Sequence, residues 1–318
     1  MSGRMIRKPK ILIAYDGSEC ADAALDDLSR AGMPAKADAL LVSVVESWLP
    51  PPPPSGYEIF EAVEANLSPH ELTAKRESGI LSQARQLAVN ASNRICSMFP
   101  GWKVRTEAYY GSPASELLAK ADEWKPNLIV VGSHGRSAIG RFVLGSVSHK
   151  VVTEARCSVR IARGHDRKPA SSLRLIIGVD GSACAEAAVR EVAKRKWPAD
   201  VEVRLVTVYD TVDPTLMGAF VPAVVDWTVD ENKKAFERAS QMASALAKPL
   251  TKKMSASSVA KQGNPKRVLI EEAESWKADC IFVGASGLSR VDRFLLGSVS
   301  AAVAARAHCS VEVVRDTE

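Results

Sequence analysis

No apolar run in the sequence exceeds about five residues, far short of the ~18 that a membrane helix needs, so no span crosses a bilayer. The six cysteines (Cys20, Cys96, Cys157, Cys184, Cys280, Cys309) form no Cys-x-x-Cys and no Cys/His cluster at zinc spacing. A disulfide scaffold is not expected in a chain this long, so they read as reduced thiols of a cytoplasmic protein. Charge of one sign is also missing. The 42 basic and 37 acidic residues are interspersed and leave a net +5, too little to mark a nucleic-acid-binding module. The basic start, Met1 to Lys10, leads only into Ile11-Leu12-Ile13-Ala14-Tyr15, too short for a signal-peptide core and ended by Asp16, so a β-strand fits better. What remains is ordinary for a globular protein: 46% hydrophobic and 25% charged residues, with mean hydropathy −0.05. At roughly 150 residues per domain, 318 residues suggest two.

The two domains are copies of each other. Ile11-Leu12-Ile13-Ala14-Tyr15-Asp16-Gly17-Ser18 recurs as Leu175-Ile176-Ile177-Gly178-Val179-Asp180-Gly181-Ser182. Cys20 matches Cys184, and Gly111-Ser112-Pro113 matches Gly263-Asn264-Pro265. Trp124-Lys125 recurs as Trp276-Lys277, and Cys157-Ser158-Val159 as Cys309-Ser310-Val311. The first copy is longer by about a dozen residues before Gly111. Polar, aperiodic Gly164 to Ser172 reads as a linker, giving domains at 1–163 and 173–318 with a linker at 164–172.

Short apolar runs alternate with amphipathic stretches in each copy. In the first, strands are expected at Ile11–Tyr15, Ala39–Val45, Val104–Tyr109, Leu128–Val131 and Ser158–Ala162. Helices are expected at Ala21–Arg30, Leu72–Phe99, Ala114–Trp124 with Pro113 in its first turn, and Gly145–Ala155. Continuous apolar strands alternating with helices indicate an α/β fold with a parallel sheet covered on both faces. Such sheets bind ligands at the carboxyl ends of their strands, where the strand order reverses.

Two loops at strand ends stand out. One is Asp16-Gly17-Ser18, repeated as Asp180-Gly181-Ser182. The other is Gly132-Ser133-His134-Gly135, nine residues, then Gly145-Ser146-Val147, repeated as Gly284-Ala285-Ser286-Gly287, nine residues, Gly297-Ser298-Val299. Glycines at a strand exit permit close backbone approach to a ligand. Gly145-Ser146 also opens a helix, whose N–H groups and dipole favour an anion such as phosphate. The pattern is neither a P-loop nor the dinucleotide Gly-x-Gly-x-x-Gly fingerprint. It would arise by chance in on the order of one chain in a hundred of this length, and here it occurs twice, in register with the Asp-Gly-Ser loops.

On these residues the chain resembles tandem universal stress proteins of the ATP-binding branch, over nearly its whole length. The resemblance implies two tandem doubly wound domains, each a five-stranded parallel sheet with helices on both faces, of the adenine nucleotide alpha hydrolase-like type. It implies ATP with Mg²⁺ as ligand in both domains. Asp16 and Val44 (through its backbone) would take the adenosine end, Gly132 the ribose side, and Gly135, Gly145, Ser146 and Val147 the phosphates. Asp180, Val208, Gly284, Gly287, Gly297, Ser298 and Val299 would repeat these roles. The last strand of the family fold typically pairs across a dimer interface, so one chain could supply both halves of a pseudo-dimer, or chains could form a homodimer. The leading reading is an ATP-binding stress-response regulatory protein without nucleic-acid or membrane partners. Its rivals are a slow ATPase using the same pockets, for which neither copy shows a Walker lysine or a matched acid–base pair, and a nucleotide-independent dimerisation scaffold.

Plainer readings accompany these. The glycines could serve only helix–sheet packing, and Asp16 and Asp180 could be N-caps. His134 reads as a solvated loop histidine, since its counterpart is Ser286. Arg141 and Arg293 are as compatible with phosphate as with solvent. Cys20/Cys184 and Cys157/Cys309 read as small buried hydrophobes. Pro50 to Pro54 reads as a stiff loop, and Lys194-Arg195-Lys196 and Lys252-Lys253 as solvated faces.

Overall fold

A computed structural model describes residues 8–46, 68–135, 144–164, 172–211, 222–287 and 295–316. The first half contains β1 (Lys10–Ala14), α1 (Glu19–Leu28), β2 (Asp38–Glu46), α2 (Pro69–Met98) and β3 (Lys103–Gly111), followed by α3 (Pro113–Trp124), β4 (Leu128–Gly132), α4 (Ser146–Glu154) and β5 (Ser158–Ala162). The second repeats it with β6 (Arg174–Gly178), α5 (Ala183–Lys194), β7 (Glu202–Tyr209), α6 (Pro222–Thr251) and β8 (Ser255–Gln262), then α7 (Pro265–Ser275), β9 (Cys280–Gly284), α8 (Ser298–Arg306) and β10 (Ser310–Val314). The expected elements are all present, with ends shifted by at most three residues. Helix ends follow local chemistry: Pro113 and Pro265 sit in first turns, and Lys125 and Lys277 adopt positive φ (52° and 55°) just past the following helix ends.

One ten-stranded sheet runs through the molecule in the order β3-β2-β1-β4-β5-β10-β9-β6-β7-β8. Within each half every pairing is parallel, and β5 and β10 join the halves antiparallel. The chain reverses its direction of travel across the sheet between β1 and β4, and again between β6 and β9. Each reversal opens a crevice at the carboxyl ends of those strands.

Strand alternation sorts the core. On one face Leu12, Ile129, Val159 and Ile161 join Val311, Val313, Ile281 and Ile176 in a single cluster spanning both halves beneath α3, α4, α7 and α8. On the other face the halves keep separate cores, Ile11, Ile13, Leu25 and Val130 in the first and Leu175, Ile177, Val189 and Phe282 in the second. Between those two cores lies a buried polar seam. Arg160 of β5 holds Asp27 of α1 with Nε and Nη2 (2.5 and 3.1 Å) and reaches Glu312 of β10 with Nη1 (3.1 Å). Arg195, just past α5, also holds Glu312 and donates to the Ala31 carbonyl at 2.9 Å. Lys194 and Lys196 are exposed as expected, but Arg195 is not part of a solvated face. A buried carboxylate on the neighbouring strand draws it inward, because an unpaired buried charge is costly.

Two further arginines cross the seam. Arg163 donates to the Ala304 and Cys309 carbonyls (2.7 and 3.3 Å), and Arg315 to those of Val152 and Cys157 (2.7 and 3.2 Å). Each guanidinium thus neutralises the negative C-terminal end of a helix in the other half.

Candidate functional site

The site is built where β1 and β4 part. Tyr15 N–H donates to the Val42 carbonyl at 3.0 Å, the last rung between β1 and β2. The next residue, Asp16, folds its carboxylate back over the turn: Oδ1 accepts from Ser18 N–H (3.0 Å) and from Ser18 Oγ (2.6 Å). Gly17 has φ +75°, the left-handed region that favours glycine. Ser18 Oγ then accepts from Ala21 N–H at 3.2 Å and caps α1. The cap is therefore Ser18, and Asp16 orients it. The second half repeats the turn, with Asp180 accepting from Ser182 N–H (3.0 Å), Gly181 at φ +82°, and Ser182 capping α5 through Ala185 N–H (3.2 Å). With the cap role taken by serine, the aspartates keep carboxylate surface at the crevice; Asp16 is half-buried and Asp180 exposed.

The glycines divide into two kinds. A Cβ on Gly132 would lie 2.9 Å from the Cys20 carbonyl oxygen, and on Gly284 2.6 Å from the Cys184 carbonyl carbon. Those positions are held to glycine by the close approach of α1 and α5 to the sheet, whatever they border. Among the described residues, a Cβ on Gly135 would meet only Asp16 Oδ2 at 3.0 Å, and on Gly287 chiefly Asp180 Oδ2 at 2.7 Å. The fold therefore brings Asp16 to Gly135 and Asp180 to Gly287. Gly145 returns beside them, its N–H donating to the Ser133 carbonyl at 2.9 Å. Gly297 N–H does the same to Ala285 at 2.6 Å.

Gly145 and Gly297 are the N-cap residues of α4 and α8, and among the described residues neither helix start has a side-chain cap. The first-turn N–H groups and positive helix end thus face the crevice together with exposed Ser146 and Ser298. The Val147 and Val299 side chains pack on the shared core, so these residues have only backbone to offer a ligand. Val44 and Val208 are alike: their side chains pack on the same core, and β2 and β7 run beyond the ends of β1 and β6. Their peptides lie past Val42 and Val206, the last residues in register with β1 and β6.

Three contacts escaped the sequence reading. Ser148 Oγ donates to the Gly132 carbonyl at 2.6 Å and Ser300 Oγ to Gly284 at 2.5 Å, tying each anion-facing helix to its strand. The repeated Ser-Val-Ser after Gly145 and Gly297 was the available signal. His134 is half-buried rather than solvated, with Nδ1 3.1 Å from Ser133 Oγ and Nε2 buried without a partner among the described residues. Burial, and then the positive charge of Arg163, hold its pKa below the usual histidine value.

Burial pushes the Cys157 and Cys309 thiols up to about 12, in keeping with inert hydrophobes, whereas Cys20 and Cys184 are half-buried beside Ser133 and Ser286. Among the described residues no group of three His, Cys, Asp or Glu could hold a metal, and no helix is long and apolar enough to cross a membrane. Pro50 to Pro54, Arg136, Arg141, Phe142, Leu288, Arg293, Phe294 and linker positions 165–171 lie outside the described residues.

Comparison with known proteins agrees with this architecture. The universal stress protein family matches residues 8–163 and again 173–315. A universal stress protein of Mycobacterium tuberculosis is 24% identical over 317 residues, covering 96% of this chain and 97% of the relative. A putative universal stress protein of Staphylococcus aureus is 31% identical over 160 residues, covering 50% of this chain and 86% of the relative. Among solved structures, a universal stress protein from Archaeoglobus fulgidus aligns with a TM-score of 0.61 at 19% identity, covering 97% of both chains. Two matches in tandem span nearly the whole sequence, so the chain belongs to the universal stress protein family, with two such units in one polypeptide.

Proposed function

We propose that each half, 1–163 and 173–318, binds ATP with Mg²⁺ and that the protein is a cytoplasmic stress-response regulator. The observation that carries this reading is the glycine N-cap of α4, repeated in α8, at a strand-order reversal. An anion-favouring helix end without a side-chain cap stands there beside a glycine held against an aspartate. A polyphosphate fits that arrangement, since the space opposite Asp16 and Asp180 would be narrowed by any Cβ at Gly135 or Gly287. Gly135, Gly145, Ser146 and Val147 would hold the phosphates through N–H groups and the Ser146 hydroxyl. Asp16, the Val44 peptide and Gly132 would border the adenosine. Asp180, Val208, Gly284, Gly287, Gly297, Ser298 and Val299 would do the same in the second half.

ATP, when bound, supplies a polyphosphate that also carries the Mg²⁺. The chain's own part is to orient it: Ser148 and Ser300 fix the helix starts, and Asp16 and Asp180 set the opposite wall. Mass spectrometry of small molecules released from freshly purified protein, with calorimetric titration of ATP, tests the reading. Released adenine nucleotide, or ATP binding that is lost in Gly135→Asp/Gly287→Asp, is the expected result. Protein that carries no nucleotide and binds no ATP would overturn it.

A further inference from the structure

The seam between the halves is nearly symmetric, and its departures from symmetry are informative. β5 and the residue after it read Ser158-Val159-Arg160-Ile161-Ala162-Arg163; β10 and its successor read Ser310-Val311-Glu312-Val313-Val314-Arg315. Ile161 pairs with Val311, Arg160 with Glu312, and Val159 with Val313. Arg160 and Glu312 are thus counterparts in the duplication that also face each other, so the two-fold relation between the halves passes through this pair.

A residue on a two-fold axis meets its own copy whenever identical subunits pair. Two first halves joined along β5 would set Arg160 against Arg160, and two second halves would set Glu312 against Glu312. Both side chains are almost completely buried (2% and 0% exposed), where like charges are poorly screened. Only a first half against a second half places opposite charges there. Asp27, held by Arg160 within the same half, also accepts from Ser310 Oγ at 2.8 Å, a bond that the identical Ser158 would offer equally.

A second ion pair across the seam has the same bias. Arg30 Nη2 lies 2.8 Å from Asp279 Oδ1, and the counterpart of Asp279 in the first half is Asn127, which carries no charge. In a pair of first halves Arg30 would lose its carboxylate. Ser158, Ser310, Arg163 and Arg315, in contrast, are the same in both copies. Their contacts would survive in any pairing; they hold the seam without selecting the partner.

We infer that Arg160 and Glu312, supported by Arg30 and Asp279, are the specificity-determining residues of this interface. The β5 edge accepts a partner edge that carries a buried carboxylate at the axial position, which is the β10 edge of this protein, and rejects a second copy of itself. Association of whole chains through identical β5 or β10 edges is thereby excluded.

The test uses the full chain with a protease site inserted between residues 164 and 172. Isotope-labelled and unlabelled protein are folded, cleaved, mixed, unfolded together and refolded, and the pairs are weighed by native mass spectrometry. Only mixed pairs of a first with a second half are expected. In Arg160→Gln/Glu312→Gln, whose amides can still bond to Asp27 and Arg195, self-pairs of both kinds should appear, those of first halves in smaller amount because Arg30 still loses Asp279 in them. Glu312→Gln alone should release self-pairs of second halves only, since Arg160 still opposes Arg160 in first halves, and it serves as the arm if the double variant does not fold. Self-pairs from the cleaved natural sequence, or exclusively mixed pairs from the folded variants, would overturn the inference.

Discussion

Gly132 and Gly135 stand three residues apart and answer to different constraints. At Gly132 an added Cβ would press on α1 backbone, which cannot move without shifting the helix. Gly132→Ala should therefore cost about 1–3 kcal/mol, as overpacking of a tight contact does. At Gly135 the added carbon meets, among the described residues, only a carboxylate oxygen at the end of a rotatable side chain. Gly135→Ala should leave stability within about 0.5 kcal/mol while weakening ATP binding at the first site. Thermal unfolding and calorimetric titration of the two variants check the contrast; equal losses of stability would refute it. Sequence alone could mark both glycines but not separate these roles, because the distinction lies in atoms more than a hundred positions away along the chain. Arg195 differs from its local reading for the same reason: it stands in a polar run and is turned inward by Glu312, a distant partner.

Elements were far more legible than contacts. Apolar periodicity, Pro113, and the glycines before α4 and α8 are local signals, and β5 occurs at the expected residues. Less local is the lattice that pins one element to the next. Glu272 of α7 is buried, yet it meets Arg204 of β7 at 2.7 Å and also Lys261 of β8. Burial alone would raise its pKa, but the hydrogen bonds from Lys261 and Arg204 outweigh that and hold it below the ordinary carboxylate value. In the unfolded chain Glu272 has the ordinary value, so the folded state binds fewer protons as pH falls. The cluster's contribution is present above the ordinary value, about 4.3, and is lost as pH falls through the depressed one. Acid titration of the melting temperature should show that loss, and Glu272→Gln should flatten it while lowering stability at neutral pH. A variant with an unchanged acid limb would remove Glu272 from the account.

At the scale of the molecule the seam does two jobs with two kinds of chemistry. On one face a continuous apolar cluster runs across β5 and β10 and glues the halves without preference. On the other face Arg160, Asp27, Glu312 and Arg195 supply charge complementarity where the partner must be correct. Arg160→Ala would leave Asp27 and Glu312 buried with a cation removed and should cost about 3–5 kcal/mol. Arg94→Ala, which breaks ion pairs to Asp22 and Asp26 on the surface, should cost less than about 1 kcal/mol. Denaturant unfolding of both variants measures the difference, and a small loss for Arg160→Ala would show that the buried network contributes little.

The sequence by itself determined the duplication, the alternation of strands and helices, and the glycine and aspartate loops at the strand ends. The elements and loops are written in neighbouring residues, through side-chain periodicity, caps and backbone freedom, and the duplication in the recurrence of those local patterns along the chain. The tertiary structure alone decided that Ser18 rather than Asp16 caps α1, and that Asp16 meets Gly135 across the crevice. It also decided that two parallel sheets become one through an antiparallel joint with opposite charges on its axis. Those outcomes depend on which distant groups share a desolvated space, and burial, unlike periodicity, has no local spelling.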